Sequence, residues 1–493
     1  MAKLKVLYQS DSAASKTGFG RVSRALLSHL YQTGKYEIVQ ICCGLHKHHP
    51  DLQKVPWKCI GTLPGTQREI DELNKDPNTA RRVSYGSNTV DWVVKEEKPD
   101  VFFGVQDIWG VEFSTSKPWF KEISSVIWST LDSRPILPMA IEAARKVDNY
   151  WMWSDFATKD LKALGHDHVK TVHGPVDHTF FGRYSDEDRN KLRDRFIIDH
   201  DTFIVGFVFR NQLRKSVPNL LEGFAKFKKE TNAKAKLLLH THFSEGWNIP
   251  NQMKKHGIDQ ADVLTTYICK NCRNHVVHSF VGQEKDCPVC KKEKSLTTTS
   301  PAFGVSEKQL ADVYNLMDVY CHPFTSGGQE IPIQEAKFSE LITLVTNYSC
   351  GEELVQEGTE SLPLEWFKYI EHNTEFDKAS TDPRSITKQL KKVYSMPKDK
   401  KRQKEIAARK WVMDNYSIEV IGKFFVDFLD SCPKTTYDFK FDEEEKNPEA
   451  DIPNIDSDSE WVKSLYKNIL NTNVTNDDDG LKFWENKLKK SEE

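Results

Sequence analysis

Short apolar runs that read as strands alternate with helix-like segments along most of this chain, and they do so in two separate series. In the first series KLKVLYQS is a strand, GRVSRALLSHLYQTG a helix and YEIVQICCG a second strand, followed by DVFFGVQD, SSVIWSTL and NYWMWSD. In the second, FIVGFVF leads into the amphipathic VPNLLEGFAKFKKE, then AKLLLHTHF, EKQLADVYNLM, DVYCHPF, IQEAKFSEL and ITLVTNY. Alternation of this kind predicts parallel strands, because a chain can re-enter a sheet in the same direction only through a crossover, usually a helix. At 493 residues the chain is also too long for one core, since single cores stop growing near about 250–300 residues.

The expected class is therefore α/β, with two Rossmann-like, doubly wound domains. The first is placed at 1–174 and the second at 175–411, with a closing helix at about 412–431 packing back on the first. Between them VKTVHGPVDHTFFGRYSDED carries glycine, proline and charge without periodicity and reads as a link. Residues 437–458 are acidic and poor in large apolar side chains, which predicts a flexible linker. Helical periodicity returns in WVKSLYKNIL and GLKFWENKL, a small helical appendage at 459–490.

The net charge of −3 offers no global attraction for nucleic acid and leaves only a local basic patch to supply one. The N-terminus has no signal-peptide hydrophobic region, and no apolar run approaches the roughly 20 residues that cross a bilayer. Ten cysteines are too sparse for a disulfide scaffold. Cys42, Cys43, Cys59, Cys321, Cys350 and Cys432 stand outside any pairing pattern and read as reduced core thiols. A reducing, cytoplasmic compartment is expected.

Cys269, Cys272, Cys287 and Cys290 are different. They form two Cys-x-x-Cys pairs with fourteen residues between them, the spacing of a structural zinc ribbon. Four thiolates would close the coordination sphere around Zn²⁺ and leave no position for a catalytic water. The insert, 268–296, also carries Lys270, Arg273, Lys285, Lys291, Lys292 and Lys294. It reads either as a module that grips a polymeric partner or as a self-folding surface insertion.

Two facing doubly wound domains bring strand C-termini and helix N-termini into one cleft, where free N–H groups and helix dipoles favour anions. Three stretches fit that position. Gly18, Phe19 and Gly20 follow the opening strand and would let a phosphate or sugar approach the backbone. Arg210 and Lys215 follow FIVGFVF and suit a diphosphate. Gly327, Gly328, Gln329, Glu330 and Ile331 make a strand-to-helix turn ahead of Glu335, whose carboxylate is placed to accept both hydroxyls of a ribose. Taken singly, each has a plain reading as a turn, a solvated loop or a capping carboxylate.

In this order the three stretches resemble the family-4 retaining glycosyltransferases of GT-B fold. The likeness covers roughly residues 3–430 and is strongest in WSDFATKDLKALG through HGPVDHTFF, in FVFRNQLRK and in LADVYNLMDVYCHPFTSGGQEIPIQEAK. The resemblance implies transfer of a sugar from a UDP- or GDP-sugar to an acceptor hydroxyl, with retention of configuration and without a metal in the chemistry. It implies that Arg210 and Lys215 bind the diphosphate and Glu335 the ribose, that residues Gly327 to Ile331 line the sugar and phosphates, and that Gly18 to Arg21 lie across the cleft. The family's sugar-contacting glutamate, eight residues before the ribose-binding one, is Gly327 here; Glu330 stands nearby. Glu340 and Ile342 replace the family's glycine and proline after the helix. Asp132, in TLDSRP, stands close to where a histidine is common and is the candidate contact to the transferred sugar.

The acceptor is left open among DNA, protein and glycan; a modified DNA base, as some phage enzymes use, is the sharper version. The Asp-x-Asp triplets at 186–188 and 199–201 precede the second domain and read as solvated charge, which argues against a metal-dependent GT-A site. The appendage resembles a small helical domain of unknown function. The competing reading is a non-catalytic zinc-ribbon binding module on a decayed transferase scaffold.

Overall fold

The computed structural model describes residues 3–300 and 303–441, together with the single positions 463 and 482. The acidic stretch beyond 441 and the expected helical appendage at 459–490 otherwise lie outside the described residues. Residues 1–435 form one compact unit and 436–493 a second.

Seven strands build the first sheet: β1 (Leu4–Ser10), β2 (Tyr36–His46), β3 (Lys58–Leu63), β4 (Val101–Gly104), β5 (Ser124–Ser129), β6 (Asn149–Met152) and β7 (Lys170–Thr171). Their order is β3-β2-β1-β4-β5-β6-β7 and every pair is parallel. All four residues of β4 are buried, as expected for a strand covered by helices on both faces.

The second sheet repeats the plan with β8 (Phe203–Val208), β9 (Ala235–His240), β10 (Val263–Cys269), β11 (His275–Ser279), β12 (Leu296–Thr298), β13 (Val319–His322), β14 (Thr343–Thr346) and β15 (Ser361–Leu364). Its order is β11-β10-β9-β8-β13-β14-β15, with β12 also paired to β10. The strands run parallel except β11 and β12, which are antiparallel to β10. Both sheets are thus Rossmann-like, and each has a switch point, β1/β4 in the first and β8/β13 in the second. Ligands of open α/β sheets bind beyond the strand C-termini at such points.

The stretch read as a plain link does not run free. Val172, Val176 and Phe181 are buried, because the chain crosses between the sheets here and its apolar side chains find cores on both sides. Val176 N–H donates to the Tyr416 carbonyl (3.0 Å), so a second crossing runs alongside the first. Part of the stretch, with the acidic triplet at 186–188, belongs to the helix Asp186–Arg195, whose first turn is all acidic and suits the positive end of the helix dipole. After the second crossing, the helix Ile418–Ser431 returns to the first sheet and sets Phe425 against Phe103, Trp128 and Trp151. Among the described residues, no helix is long and apolar enough to cross a membrane.

Candidate functional site

Two adjoining cavities open where the loops after the switch-point strands meet. The larger, about 570 Å³, is lined by Gly18, Arg210, Lys215, Gln329, Glu330 and Ile331, all singled out above, and also by Lys16, Arg21, Arg24 and Arg214. The smaller, about 440 Å³, holds Gly18, Phe19, Asp132 and the whole turn Gly327 to Ile331, together with Asp107, Trp109 and Trp153. Gly20 and Glu335 line neither cavity. Gly20 sits under its own loop, where a Cβ would meet the Ser12 carbonyl at 2.8 Å, so its lack of a side chain serves packing.

Glu335 is fully buried behind the cavity wall. Arg21 ion-pairs with one of its carboxylate oxygens, and the Tyr314 hydroxyl donates to the other at 2.8 Å. Glu307, at the cavity rim, pairs with Arg24 and lies 3.9 Å from Arg21. The carboxylate expected to hold ribose hydroxyls is therefore engaged by protein groups in this conformation, one oxygen by an ion pair and the other by a hydrogen bond.

Arg210 and Lys215 share the cavity but differ in setting. Arg210 is exposed and reaches Glu245 at 3.3 Å. Lys215 is buried and contacts Glu330, which also accepts from Arg214 Nη1 at 2.6 Å and lies 3.1 Å from His322 Nε2. Burial opposes the Glu330 charge, but Lys215, Arg214 and His322 outweigh it and hold the carboxyl well below its usual range. His322 is driven down to about 4 by burial, which keeps it neutral near pH 7.

The glycine turn is built for close approach. A Cβ on Gly328 would fall 2.4 Å from Thr130 Cβ in the first sheet's loop, so only glycine lets the two loops touch. A Cβ on Gly327 would fall 2.6 Å from Glu330 Oε1. The Glu330 carboxylate thus occupies the space into which a side chain at 327 would grow. Gln329 clasps the crossing segment by accepting from Gly174 N–H (2.7 Å) and donating to the Gly174 carbonyl (2.9 Å).

Asp132 also spans the cleft. Its carboxylate accepts from the Ser326 hydroxyl at 3.0 Å, its main-chain carbonyl accepts from Ser349 at 2.7 Å, and Lys378 Nζ lies 3.7 Å away. Lys378 in turn donates to Ser133 and Ser326. Asp107 sits on the floor of the smaller cavity with Thr130 donating to it. Burial raises its pKa, helped by the nearby Asp132 charge. Asp107 and Arg214 were not picked out from the sequence. The switch-point rule was the usable signal for Asp107, since VFFGVQD ends the strand beside β1, and the dipeptide Arg214-Lys215 was the signal for Arg214.

The four cysteine sulfurs converge within 4.8 Å of one another. Sγ of Cys269 lies 3.7 Å from that of Cys290, and Sγ of Cys272 lies 3.7 Å from that of Cys287. A zinc–sulfur bond of about 2.3 Å implies tetrahedron edges of roughly 3.8 Å, so the donor set fits a zinc ion. The two halves are built alike. Cys272 N–H points to Cys269 Sγ (3.4 Å) and Cys290 N–H to Cys287 Sγ (3.5 Å). The residues that follow, Arg273 and Lys291, both take φ of +59°. His275 and His278 stand outside the cluster: His275 is buried 3.4 Å from Asp312, and His278 stacks on Tyr267.

No family model matches the chain, and no curated protein matches it. Solved structures do share its fold. A glycosyltransferase from Rickettsia africae superposes with a TM-score of 0.60 at 13% identity, over 88% of this chain and 100% of that one. Sucrose-phosphate synthase from Thermosynechococcus elongatus gives 0.62 at 11% identity, over 87% and 98%. Anabaena HepE in complex with UDP and glucose gives 0.57 at 13% identity, over 87% and 100%. At these identities the likeness is one of fold, and the fold is GT-B.

Proposed function

We propose that the chain is a glycosyltransferase that takes a sugar from a UDP- or GDP-sugar and passes it to an acceptor hydroxyl with retention of configuration. The observation that carries this reading is the convergence of Lys16, Arg21, Arg24, Arg210, Arg214 and Lys215 on one cavity at the switch point of the second sheet. That concentration of cations, in a space of about 570 Å³, suits a nucleoside diphosphate. The structural neighbours whose names include UDP or a sugar phosphate support the same class.

In this reading Arg210 and Lys215 stabilise the charge that develops on the departing diphosphate, while the transferred sugar passes through an oxocarbenium-like state. The glycine turn, Gly327 to Ile331, lies against sugar and phosphates, and Gly18 and Phe19 close the opposite side. Glu330 supplies the carboxylate that Gly327 lacks. Asp132 faces the transferred sugar. Glu335 takes the ribose once Arg21 gives way. The smaller cavity, floored by Asp107 and walled by Trp109 and Trp153, receives the acceptor, whose class among DNA, protein and glycan is a matter for assay.

The four cysteines hold a structural zinc ion. When bound, the ion would lock the two Cys-x-x-Cys turns together. It takes no part in sugar transfer.

The test is a thermal-shift titration with UDP and GDP, followed by transfer assays on DNA, protein and glycans with the anomeric product read by NMR. The expected result is stabilisation by one nucleotide, reduced by Arg210→Ala. Equal melting of wild type and Arg210→Ala, with no shift from any nucleoside diphosphate, would favour the non-catalytic reading.

A further inference from the structure

The four-cysteine insert does not hang from the sheet as a separate knob. β10 carries Cys269 as its last residue, and β12 pairs back onto it, matching Cys269 with Leu296 and Tyr267 with Thr298. Thr299 and Ser300, directly after β12, line the larger cavity, and so do Gly304, Val305 and Ser306. The two sides of one cavity wall are therefore attached to the cysteine cluster.

Arg273 adds a side-chain link to this chain connection. Arg273 follows Cys272 in the first turn and holds a left-handed backbone, φ +59°. Its Nη2 donates to the Gly304 carbonyl at 2.9 Å, and its own carbonyl accepts from Gln309 Nε2 at 2.8 Å. Gln309 completes a capping box with Ser306 at the start of the helix Glu307–Leu316, which adds Glu307 and Leu310 to the cavity lining. From across the cleft, Lys16 Nζ donates to the same Gly304 carbonyl at 3.0 Å. One carbonyl on the cavity rim thus joins the cysteine insert, the second sheet and the loop after β1.

We propose that the metal-bound insert is a positioning element for the nucleotide cavity, with Arg273 as the residue that transmits it. Metal fixes the turn that gives Arg273 its backbone conformation, and Arg273 fixes residues 304–306 against the bound nucleotide. Loss of the metal frees the turn, and the cavity wall loses its anchor. This deepens the nucleotide-sugar reading and rests on it for the identity of the ligand. The positioning step itself is a property of this chain with or without nucleotide.

The experiment compares the full chain as purified with zinc, the same chain stripped by a chelator, and Arg273→Ala and Arg273→Lys with zinc retained. Amide hydrogen exchange is read over 304–310, and UDP affinity is read by calorimetry. Stripping is expected to speed exchange at 304–307 and to weaken UDP by on the order of tenfold, within the usual range for coupled sites. Arg273→Ala is expected to do the same while its zinc content and melting temperature stay those of wild type, and Arg273→Lys to restore most of the affinity. Unchanged exchange and unchanged UDP affinity in both the stripped protein and Arg273→Ala would overturn the proposal. An effect of stripping that Arg273→Ala does not reproduce would overturn the role of Arg273. If exchange responds but UDP binds no form of the protein, positioning stands and the nucleotide reading falls.

Discussion

Arg21, in the first turn of the helix after β1, ion-pairs with Glu335, in the helix that follows the glycine turn of the other sheet. The Glu335 side chain is fully buried and that of Arg21 is 20% exposed, so neither charge is well solvated. Removing one partner of such a pair strands the other, which typically costs about 3–5 kcal/mol. Arg21→Ala is therefore expected to lower unfolding free energy by that order in urea titrations. Glu335→Gln strands the Arg21 cation instead, but that side chain is 20% exposed and the amide keeps an acceptor for Tyr314, so its loss should be smaller. A double-mutant cycle giving no coupling between the two positions would contradict this account.

Glu330 makes stability depend on pH in a definite direction. Its carboxyl is held well below the ordinary value of 4.5, chiefly because Lys215 and Arg214 outweigh burial. A depressed folded pKa means that the unfolded chain binds the proton more readily. The stabilisation is thus present above about 4.5 and is lost as pH falls through the folded value. Glu330→Gln should melt well below wild type at pH 7, and the gap should close on acidification below pH 4.5. A gap that stays constant from pH 7 to pH 3 would remove the ionised Glu330 from the explanation.

The two-sheet plan was legible because period and order are local properties, carried by contiguous runs such as KLKVLYQS and FIVGFVF; short edge strands such as β3 and β7 carry too little pattern to be read. The cysteine cluster was legible for the same reason, since both turns are contiguous. What escaped depends on contacts between distant segments. Nothing near Glu335 indicates that Arg21, in the other sheet's first helix, would claim its carboxylate. That the Glu330 carboxylate turns into the space beside Gly327 is a matter of side-chain direction, which the order of residues does not carry. The crossing segment lacks periodicity because it packs on two cores in turn, so no single face repeats.

Asp132 offers a way to separate binding from chemistry. Ser326 and Lys378 hold its carboxylate, while the larger cavity that carries Arg210 and Lys215 does not include it. Asp132→Asn keeps an acceptor for Ser326 and removes the charge. The expected outcome is UDP affinity within a factor of about two or three of wild type and a kcat lower by on the order of 10²-fold, typical of a lost polar group at a reacting centre. Matching losses in UDP affinity and kcat would instead make Asp132 a support of the domain contact.

The helix Ile418–Ser431 follows the second crossing in sequence yet belongs to the first sheet in space. Phe425 is fully buried, with ring centroids 4.9 Å from Trp128, 5.5 Å from Trp151 and 5.6 Å from Phe103. Truncating a buried phenylalanine to alanine typically costs about 3–5 kcal/mol, from lost transfer energy and the cavity left behind. Phe425→Ala should therefore weaken the first sheet although the substitution lies some 250 residues beyond β7. Trp128 and Trp151 report on it directly: their emission should shift to the red at lower denaturant in Phe425→Ala than in wild type. Phe425→Leu, which refills much of the space, should fall between the two. Unfolding curves that overlay for all three proteins would show that the helix closes nothing, and that the first sheet is complete without it.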